Sequence, residues 1–128
     1  MLIFGHPWIK SKKFKKIFSI DETTDVTSDE IILLEPLSDS ISIAQHCQAK
    51  QIEFAVTITG ITDALFANAL QSKYLVCQME DVVSIQSIAQ EYLFDSKVLT
   101  LISNEKEIKK MAELSIDAVM FPEAIIQN

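Results

Sequence analysis

The chain has 128 residues, of which 48% are apolar and 23% are charged. That length suits one compact domain whose core needs no disulfide or metal, so we expect a single domain over residues 1–128. Its 18 acidic residues outnumber its 11 basic ones, and all the basic ones are lysines. A net charge of -7 without arginine disfavours a nucleic-acid partner, and two glycines are too few for a Gly-rich phosphate loop.

The sequence also indicates where the protein resides. No run reaches the roughly 20 apolar residues of a membrane span, and residues 1–9 lack the basic-then-apolar order of a signal peptide. Cys47 and Cys77 have no paired spacing, which favours free thiols in a reducing compartment over a disulfide or a zinc site. We therefore expect a cytoplasmic protein with no membrane partner, no metal and no cofactor.

The first thirty residues are predicted to form an edge segment of the fold. Residues 2–4 and 14–20 have strand-like composition, as one added strand or a hairpin, and residues 21–30 indicate a surface connection. Five lysines and no acid lie among the first twenty residues: Lys10, Lys12, Lys13, Lys15 and Lys16. They would suit RNA or an anionic surface, but the favoured interpretation is a solvent-facing edge strand that the lysines protect from aggregation.

The only tryptophan, Trp8, ends the loop Gly5-His6-Pro7-Trp8. The loop would suit a lid over the strand ends, or, because tryptophan is frequent at interface hot spots, Trp8 is a candidate anchor in a partner's pocket. The alternative is that its ring packs against the protein's own core.

Residues 31–128 are predicted to form a core of βα repeats. Apolar runs begin near residues 31, 54, 74, 98 and 117, and helical patterns separate them. The runs are almost continuously apolar, which is typical of parallel strands that are covered on both faces. The predicted fold is therefore α/β, with an open and mostly parallel five-stranded sheet, either flavodoxin-like or half-barrel-like. The amino-terminal strand or hairpin would extend one edge of that sheet.

Two of the four predicted helices carry specific expectations. The second opens near Thr62, and its predicted inner face consists of Leu65, Phe66, Ala69 and Leu70. The fourth begins at Asn104, where Glu107 three residues on completes a capping box. Glu105 and Lys109 are expected to form an ion pair on the outside of that helix.

Part of the repeat core resembles the barrel aldolases. Residues 53–77, in which Thr57-Ile58-Thr59-Gly60 ends a strand and a helix follows, resemble one βα step of that family, and residues 104–121 resemble a later step. The resemblance implies the architecture of a βα unit. Those aldolases carry a Schiff-base lysine in the strand after such a helix, but residues 74–78 contain no lysine. Imine chemistry is therefore not expected there.

The whole chain also resembles a family of small α/β proteins from the Campylobacter and Helicobacter group. The resemblance includes Gly-His-Pro-Trp at residues 5–8 and Glu-Pro-Leu at residues 35–37. It implies a bacterial protein and carries no activity with it.

Parallel strands place a candidate site at their carboxyl ends, where the loops enter the helices. The candidate ligand contacts at this rim are Glu35, Thr57, Thr59, Thr62, Cys77 and Glu123. Glu35 and Glu123 each follow a strand and would suit acid–base chemistry or a cation. The alternative is that they are two solvated loop acids among eighteen.

The other candidates have two interpretations each. Thr57 and Thr59, with Thr62 at the helix start, would bind a carboxylate or phosphate oxygen, or Thr62 only caps its helix. Cys77 with His6 would form a nucleophile and its base, or the thiol is simply buried at a strand end.

Two functions from different classes remain open on the sequence. The first is a binding or interaction module without a dedicated catalytic centre, self-associating as a homodimer because four helices give limited cover to two faces of a five-stranded sheet. The second is a small enzyme or sensor that binds a carboxylate- or phosphate-bearing metabolite at the carboxyl ends of the strands. Thr57, Thr59 and Glu35 would be its contacts.

Overall fold

Seven strands and four α-helices are present in the computed structural model, which describes residues 1–126. Residues 127 and 128 of the predicted repeat core lie outside the described part. In chain order the elements are β1 (Leu2–Phe4), β2 (Lys13–Lys16), β3 (Glu30–Leu34), α1 (Ile41–Lys50), β4 (Phe54–Thr57), α2 (Gly60–Ala69), β5 (Tyr74–Cys77), α3 (Met79–Glu91), β6 (Lys97–Leu101), α4 (Lys106–Glu113) and β7 (Ala118–Met120).

All seven strands form one parallel sheet in the order β1-β7-β6-β5-β4-β3-β2. The parallel α/β fold is thus confirmed, but the prediction of five strands is wrong. A hairpin at one edge is also wrong, because β1 pairs with β7 at one edge and β2 pairs with β3 at the other. Both extra strands are short: β1 is apolar throughout but has only three residues, and β2 has a single apolar residue, Phe14.

The sheet curls until its two edge strands approach each other, so the half-barrel arrangement is found and the flavodoxin-like one is not. The rings of Phe4 on β1 and Phe14 on β2 lie 5.1 Å apart between centroids. Tyr74 on β5 contacts both rings, at 5.3 and 5.9 Å. All three contacts are edge-to-face, the geometry that aromatic quadrupoles favour. Aromatic packing therefore spans the gap between β1 and β2.

The chain after β7 fills part of that gap; we call residues 122–126 the closing segment. Ile125 pairs with Phe14 in parallel, and the Ile126 N–H donates to the Phe14 carbonyl at 2.9 Å. On the other side the segment lies against Gly5, where an added Cβ would be 2.8 Å from the Ala124 nitrogen. Gly5 also has a φ of +84°, which favours glycine. The closing segment thus lies between the carboxyl end of β1 and the middle of β2.

The two faces of the sheet are covered in different ways. The convex face packs against the helices, and the concave face packs against itself. The concave cluster consists of Phe4, Phe14, Ile31, Leu33, Ala55, Tyr74, Val76, Leu99, Ala118, Met120 and Ala124. Both faces are apolar, which is why the strands read as continuous apolar runs. Four helices therefore have one face to cover, and the shortage of cover from which a homodimer was predicted does not arise.

The helices differ from their predicted details in two places. On α2 the buried residues are Ala64 and Ala67, while Leu65 and Phe66 are 44% and 62% exposed, so the predicted inner face is wrong. Alanine at the contact lets the helix lie close to the sheet and leaves the larger side chains outside. The helix also begins at Gly60, so its N-cap is Thr59 and not Thr62.

The predicted ion pair on the fourth helix is also wrong. Lys109 approaches Glu113 at 3.9 Å, whereas Glu105 contacts His6. Glu105 lies just before α4, close to the amino-terminal loop that carries His6, so a partner from outside the helix replaces Lys109. Within residues 1–126, no helix has both the length and the hydrophobicity needed to cross a membrane.

Candidate functional site

The carboxyl ends of all seven strands lie at the same end of the curled sheet, because every pair is parallel. Side chains alternate along each strand, so a residue two positions beyond an inward one faces the same way. Lys16 at the end of β2, Glu35 just after β3 and Thr57 at the end of β4 each lie two residues beyond an inward-facing residue of the concave cluster. The concave face is therefore apolar inside and polar at this rim.

Glu35 lies at the centre of this polar group. Its Oε1 accepts from Lys16 Nζ at 2.8 Å, and its Oε2 accepts from the Thr57 hydroxyl at 3.0 Å. The lysine holds the pKa of Glu35 below its ordinary value, although partial burial opposes the shift. Glu35 thus stays ionised at neutral pH, and both its oxygens are engaged in joining three neighbouring strands.

Two of the predicted rim residues, Glu35 and Thr57, are therefore brought together, and Lys16 is the partner that sequence reasoning missed. Lys16 was grouped with the lysines of a solvent-facing edge strand. The signal that could have separated it is its spacing of two from Phe14, which places it on the concave face.

The loop predicted to bind an anion already holds a carboxylate of the chain itself. The backbone N–H and the hydroxyl of Thr59 both donate to Asp63 Oδ2, at 3.0 and 3.2 Å. Thr62 lies exposed on the first turn of α2, away from this arrangement. Ser103 makes the same pair of bonds to Glu107 ahead of α4, at 3.3 and 3.0 Å. Ahead of α2 and α4, the N–H and hydroxyl donors of Thr59 and Ser103 are therefore taken by the chain's own carboxylates and are not free for an external anion.

Cys77 does not reach the rim. Its side chain is only 1% exposed and belongs to the core cluster between sheet and helices. Burial raises the pKa of the Cys77 thiol to about 12, and the nearby Asp81 adds to that shift. His6 contacts Glu105 instead of this thiol, so the structure does not assemble a nucleophile and base from Cys77 and His6.

A cleft of about 440 Å³ lies at the carboxyl ends of β1, β6 and β7; we call it the carboxyl cleft. Its lining consists of Gly5, His6, Pro7, Trp8, Ser103, Asn104, Glu105, Phe121 and Glu123. Glu123 is the one residue of the predicted ligand set that lines it. It does not join Glu35, which is paired with Lys16.

His6 organises the carboxyl cleft through both of its ring nitrogens. Nδ1 accepts from the Trp8 backbone N–H at 3.1 Å, so in the neutral ring the proton is on Nε2. That nitrogen lies 2.6 Å from Glu105 Oε1 and donates to it. The imidazole is one-tenth exposed and packs against the Phe121 ring at 5.5 Å. His6 therefore positions the Trp8 loop and the Glu105 carboxylate.

Trp8 is held over the cleft with its side chain in solvent. It is 87% exposed, and its ring meets the edge of His6 at 5.2 Å between centroids. The alternative in which the ring packs on the core is thus not what is found. The described lining of the cleft contains two carboxylates, Glu105 and Glu123, and no lysine, although Glu123 also lines an adjoining opening of about 340 Å³ that includes Lys10 and Lys13. The result is an acidic cleft with a free aromatic face.

No family model matches this chain, and no curated protein is significantly similar to it. Among the residues that the structure describes, no group of three His, Cys, Asp or Glu side chains is placed to hold a metal ion.

Proposed function

We propose that this protein is a small-molecule binding module and that its ligand is an amine cation held in the carboxyl cleft. The observation that carries this proposal is the position of Trp8, an almost fully exposed indole fixed through His6 at the rim of an acidic cleft. A tryptophan face attracts cations more strongly than any other side-chain ring. Glu105 and Glu123 supply the opposite charge.

The charges at the rim favour a cation over the anionic metabolite that the sequence suggested. Lys16 is neutralised by Glu35, and the free donors of Thr59 are taken by Asp63. The chain as a whole carries -7, which attracts cations at a distance. A cation–π contact of about 0.5–2 kcal/mol and one charge-assisted hydrogen bond of about 1.5–3 kcal/mol, donated to a carboxylate by an N–H or O–H of the ligand, sum to about 2–5 kcal/mol, which corresponds to a dissociation constant of about 0.2–35 mM.

Choline and its neutral tert-butyl analogue, in which carbon replaces nitrogen, test the proposal because they share one shape and differ in charge. Trp8 is the only tryptophan, so its fluorescence reports binding at the cleft directly. We expect choline to give a saturable change and the neutral analogue to give none. Calorimetry on Trp8→Leu should show the loss of choline binding.

A matched pair of variants tests how much the Glu123 carboxylate contributes to choline binding. Glu123→Gln should weaken choline binding several-fold, while Glu91→Gln, which removes the same charge from an exposed position at the end of α3, should leave it unchanged. Equal responses to choline and to the neutral analogue would overturn the cation site. So would an unchanged affinity in the Trp8 variant.

A second candidate function, self-association as a homodimer, now rests on the outer face of α2. Ile61, Leu65 and Phe66 are 39%, 44% and 62% exposed and share that face with Thr62 and Ala69. The face carries no charge, so two copies of an acidic chain meet least repulsion there. Sedimentation velocity should show a dimer that Phe66→Lys dissociates.

The control for this experiment is Phe18→Lys, which adds the same charge at another exposed ring and should leave the dimer intact. A monomer at all concentrations would contradict self-association.

The proposal places the protein in the cytoplasm, and the two buried free thiols, Cys47 and Cys77, support a reducing location.

A further inference from the structure

A second opening lies between β1 and β2, where the closing segment does not fill the gap. It has a volume of about 360 Å³, and we call it the amino slot. Its apolar lining includes Leu2, Phe4, Ile9 and Ile31, and its polar lining is Lys10, Ser11, Lys12, Lys73 and Tyr74. An apolar pocket of this size with a few convergent polar groups is typical of small-molecule sites.

Tyr74 gives the amino slot a free hydrogen-bond donor. The side chain is 95% buried, its ring held between Phe4 and Phe14. Within residues 1–126 the hydroxyl makes no hydrogen bond, and it is not sealed from solvent, so it opens into the slot. Burial raises the pKa of Tyr74, so the hydroxyl keeps its proton at neutral pH.

The slot is also a basic region of an acidic protein. Lys73 is paired with Glu53, and Lys12 lies near enough to contribute to the lowered pKa of Glu53. Lys10 and Lys12 are exposed and form no ion pair within the described chain. Three lysines and one glutamate leave a local charge of +2 where the whole chain has -7.

Protection of an edge strand does not account for these two lysines. Lys10 and Lys12 precede β2, which begins at Lys13. Within the strand, Lys15 donates to the Asp25 carbonyl and Lys16 pairs with Glu35. Among the described residues, Lys10 and Lys12 are thus the members of the basic segment that no hydrogen bond, ion pair or edge position explains.

We propose that the amino slot binds a monocarboxylate with an apolar body. The carboxylate would accept the Tyr74 hydroxyl proton in a hydrogen bond and lie beside Lys10 and Lys12. The body would pack on Leu2 and Ile9, which are 45% and 42% exposed. The strand residues of this site, Leu2, Ile31 and Tyr74, lie at the amino ends of β1, β3 and β5, and the site does not depend on the function proposed for the carboxyl cleft.

Three probes with one apolar chain and different heads test the proposal: octanoate, octylammonium and octanol, each below its aggregation concentration. Isothermal titration of the Trp8→Leu variant, which lacks the proposed cation site, should give one octanoate per chain, at least tenfold weaker binding of octanol, and no saturable binding of octylammonium. Equal affinities for octanoate and octanol would overturn the assignment of a carboxylate. Saturable binding of octylammonium by this variant would overturn the sign of the site.

Variants separate the slot from the general charge of the protein. The double variant Lys10→Gln/Lys12→Gln should lower octanoate affinity at least tenfold, and Tyr74→Phe should lower it several-fold while its circular dichroism stays that of the wild type. Lys109→Gln/Lys110→Gln removes the same charge from exposed positions on α4 and should have no effect. An equal loss in both double variants would refute a specific site.

Trp8→Leu distinguishes this site from the carboxyl cleft. It should abolish choline binding and leave octanoate binding intact. Loss of octanoate binding in that variant would place the carboxylate at the wrong end of the sheet and overturn the inference, whatever the result with choline.

Discussion

Substituting alanine at each of the two glycines separates backbone strain from steric obstruction. Gly5 and Gly60 have nearly the same positive φ, +84° and +83°. A Cβ at Gly60 would meet nothing within 4 Å, whereas one at Gly5 would lie 2.8 Å from the Ala124 nitrogen and 3.0 Å from the Ala124 Cβ. The two variants therefore share one destabilising term, the cost of a positive φ, and only Gly5→Ala adds a second, a steric clash.

The shared term is the left-handed backbone, which costs an L residue about 1–2 kcal/mol. At Gly5 the obstructing atom belongs to the backbone of the closing segment, so the segment has to move. Forcing extra volume into a packed site costs about 1–3 kcal/mol more. We expect Gly60→Ala to lose about 1–2 kcal/mol of unfolding free energy and Gly5→Ala to lose about 2–5 kcal/mol.

Urea unfolding followed by far-ultraviolet circular dichroism measures both losses, provided that the slopes of the two transitions agree. A chain of this length is suited to two-state treatment. If the two variants lose the same free energy, or if Gly60→Ala loses more, the close approach of β1 to the closing segment is refuted.

Three other predictions follow from burial and charge. Burial raises the pKa of the Cys77 thiol to about 12, so native protein should resist Ellman's reagent in mildly alkaline buffer, and prompt labelling of Cys77 would contradict its position. Phe14→Ala should cost about 3–5 kcal/mol in urea unfolding, and Phe18→Ala, at a 73% exposed ring, should stay within about 0.5 kcal/mol; similar losses would argue against the aromatic core. Because Lys16 lowers the pKa of Glu35, the ionised carboxylate stabilises the fold above its ordinary pKa and loses that effect as the pH falls through the lowered value. The difference in unfolding free energy between wild type and Glu35→Gln should therefore be present at neutral pH and shrink in acid. A difference that does not change with pH would exclude the ion pair.

The five later strands were predictable because each is buried on both faces. Their apolar runs, expected near residues 31, 54, 74, 98 and 117, correspond to β3, β4, β5, β6 and β7. A strand in that environment is apolar over most of its length, and this leaves a local pattern that needs no knowledge of partners.

The placement of the two edge strands could not be predicted in the same way, since β1 pairs with β7 near the other end of the described chain and β2 has a single apolar residue. Phe14 stands among lysines and pairs with Ile31 and Ile125, the second of which lies at the other end of the chain. Local composition carries no record of such a pairing. The curl that brings Phe4 to Phe14 is a property of the whole sheet and is not encoded in any one run.

The candidate site was also predictable only in part: the residues that follow from the order of the later strands were expected, and those that depend on long-range strand pairing were not. The rule that ligands bind at the carboxyl ends of parallel strands placed Glu35 and Thr57 at one rim, where they touch. The carboxyl cleft, in contrast, depends on β1 pairing with β7, which sets His6 beside Glu105. Hydrophobicity alone also misassigned Phe66, because it cannot tell a core face from a face left in solvent.

The position of β1 has a consequence for biosynthesis. Among the seven described strands β1 is translated first, yet the strand with which it pairs, β7, is translated last. Until then Phe4 and Phe14 have no finished enclosure, and the nascent polypeptide exposes them to chaperones or to neighbouring chains. Topology thus makes the pairing of β1 with the curled sheet a late, long-range event in folding, and slow translation of β7 would prolong the vulnerable interval.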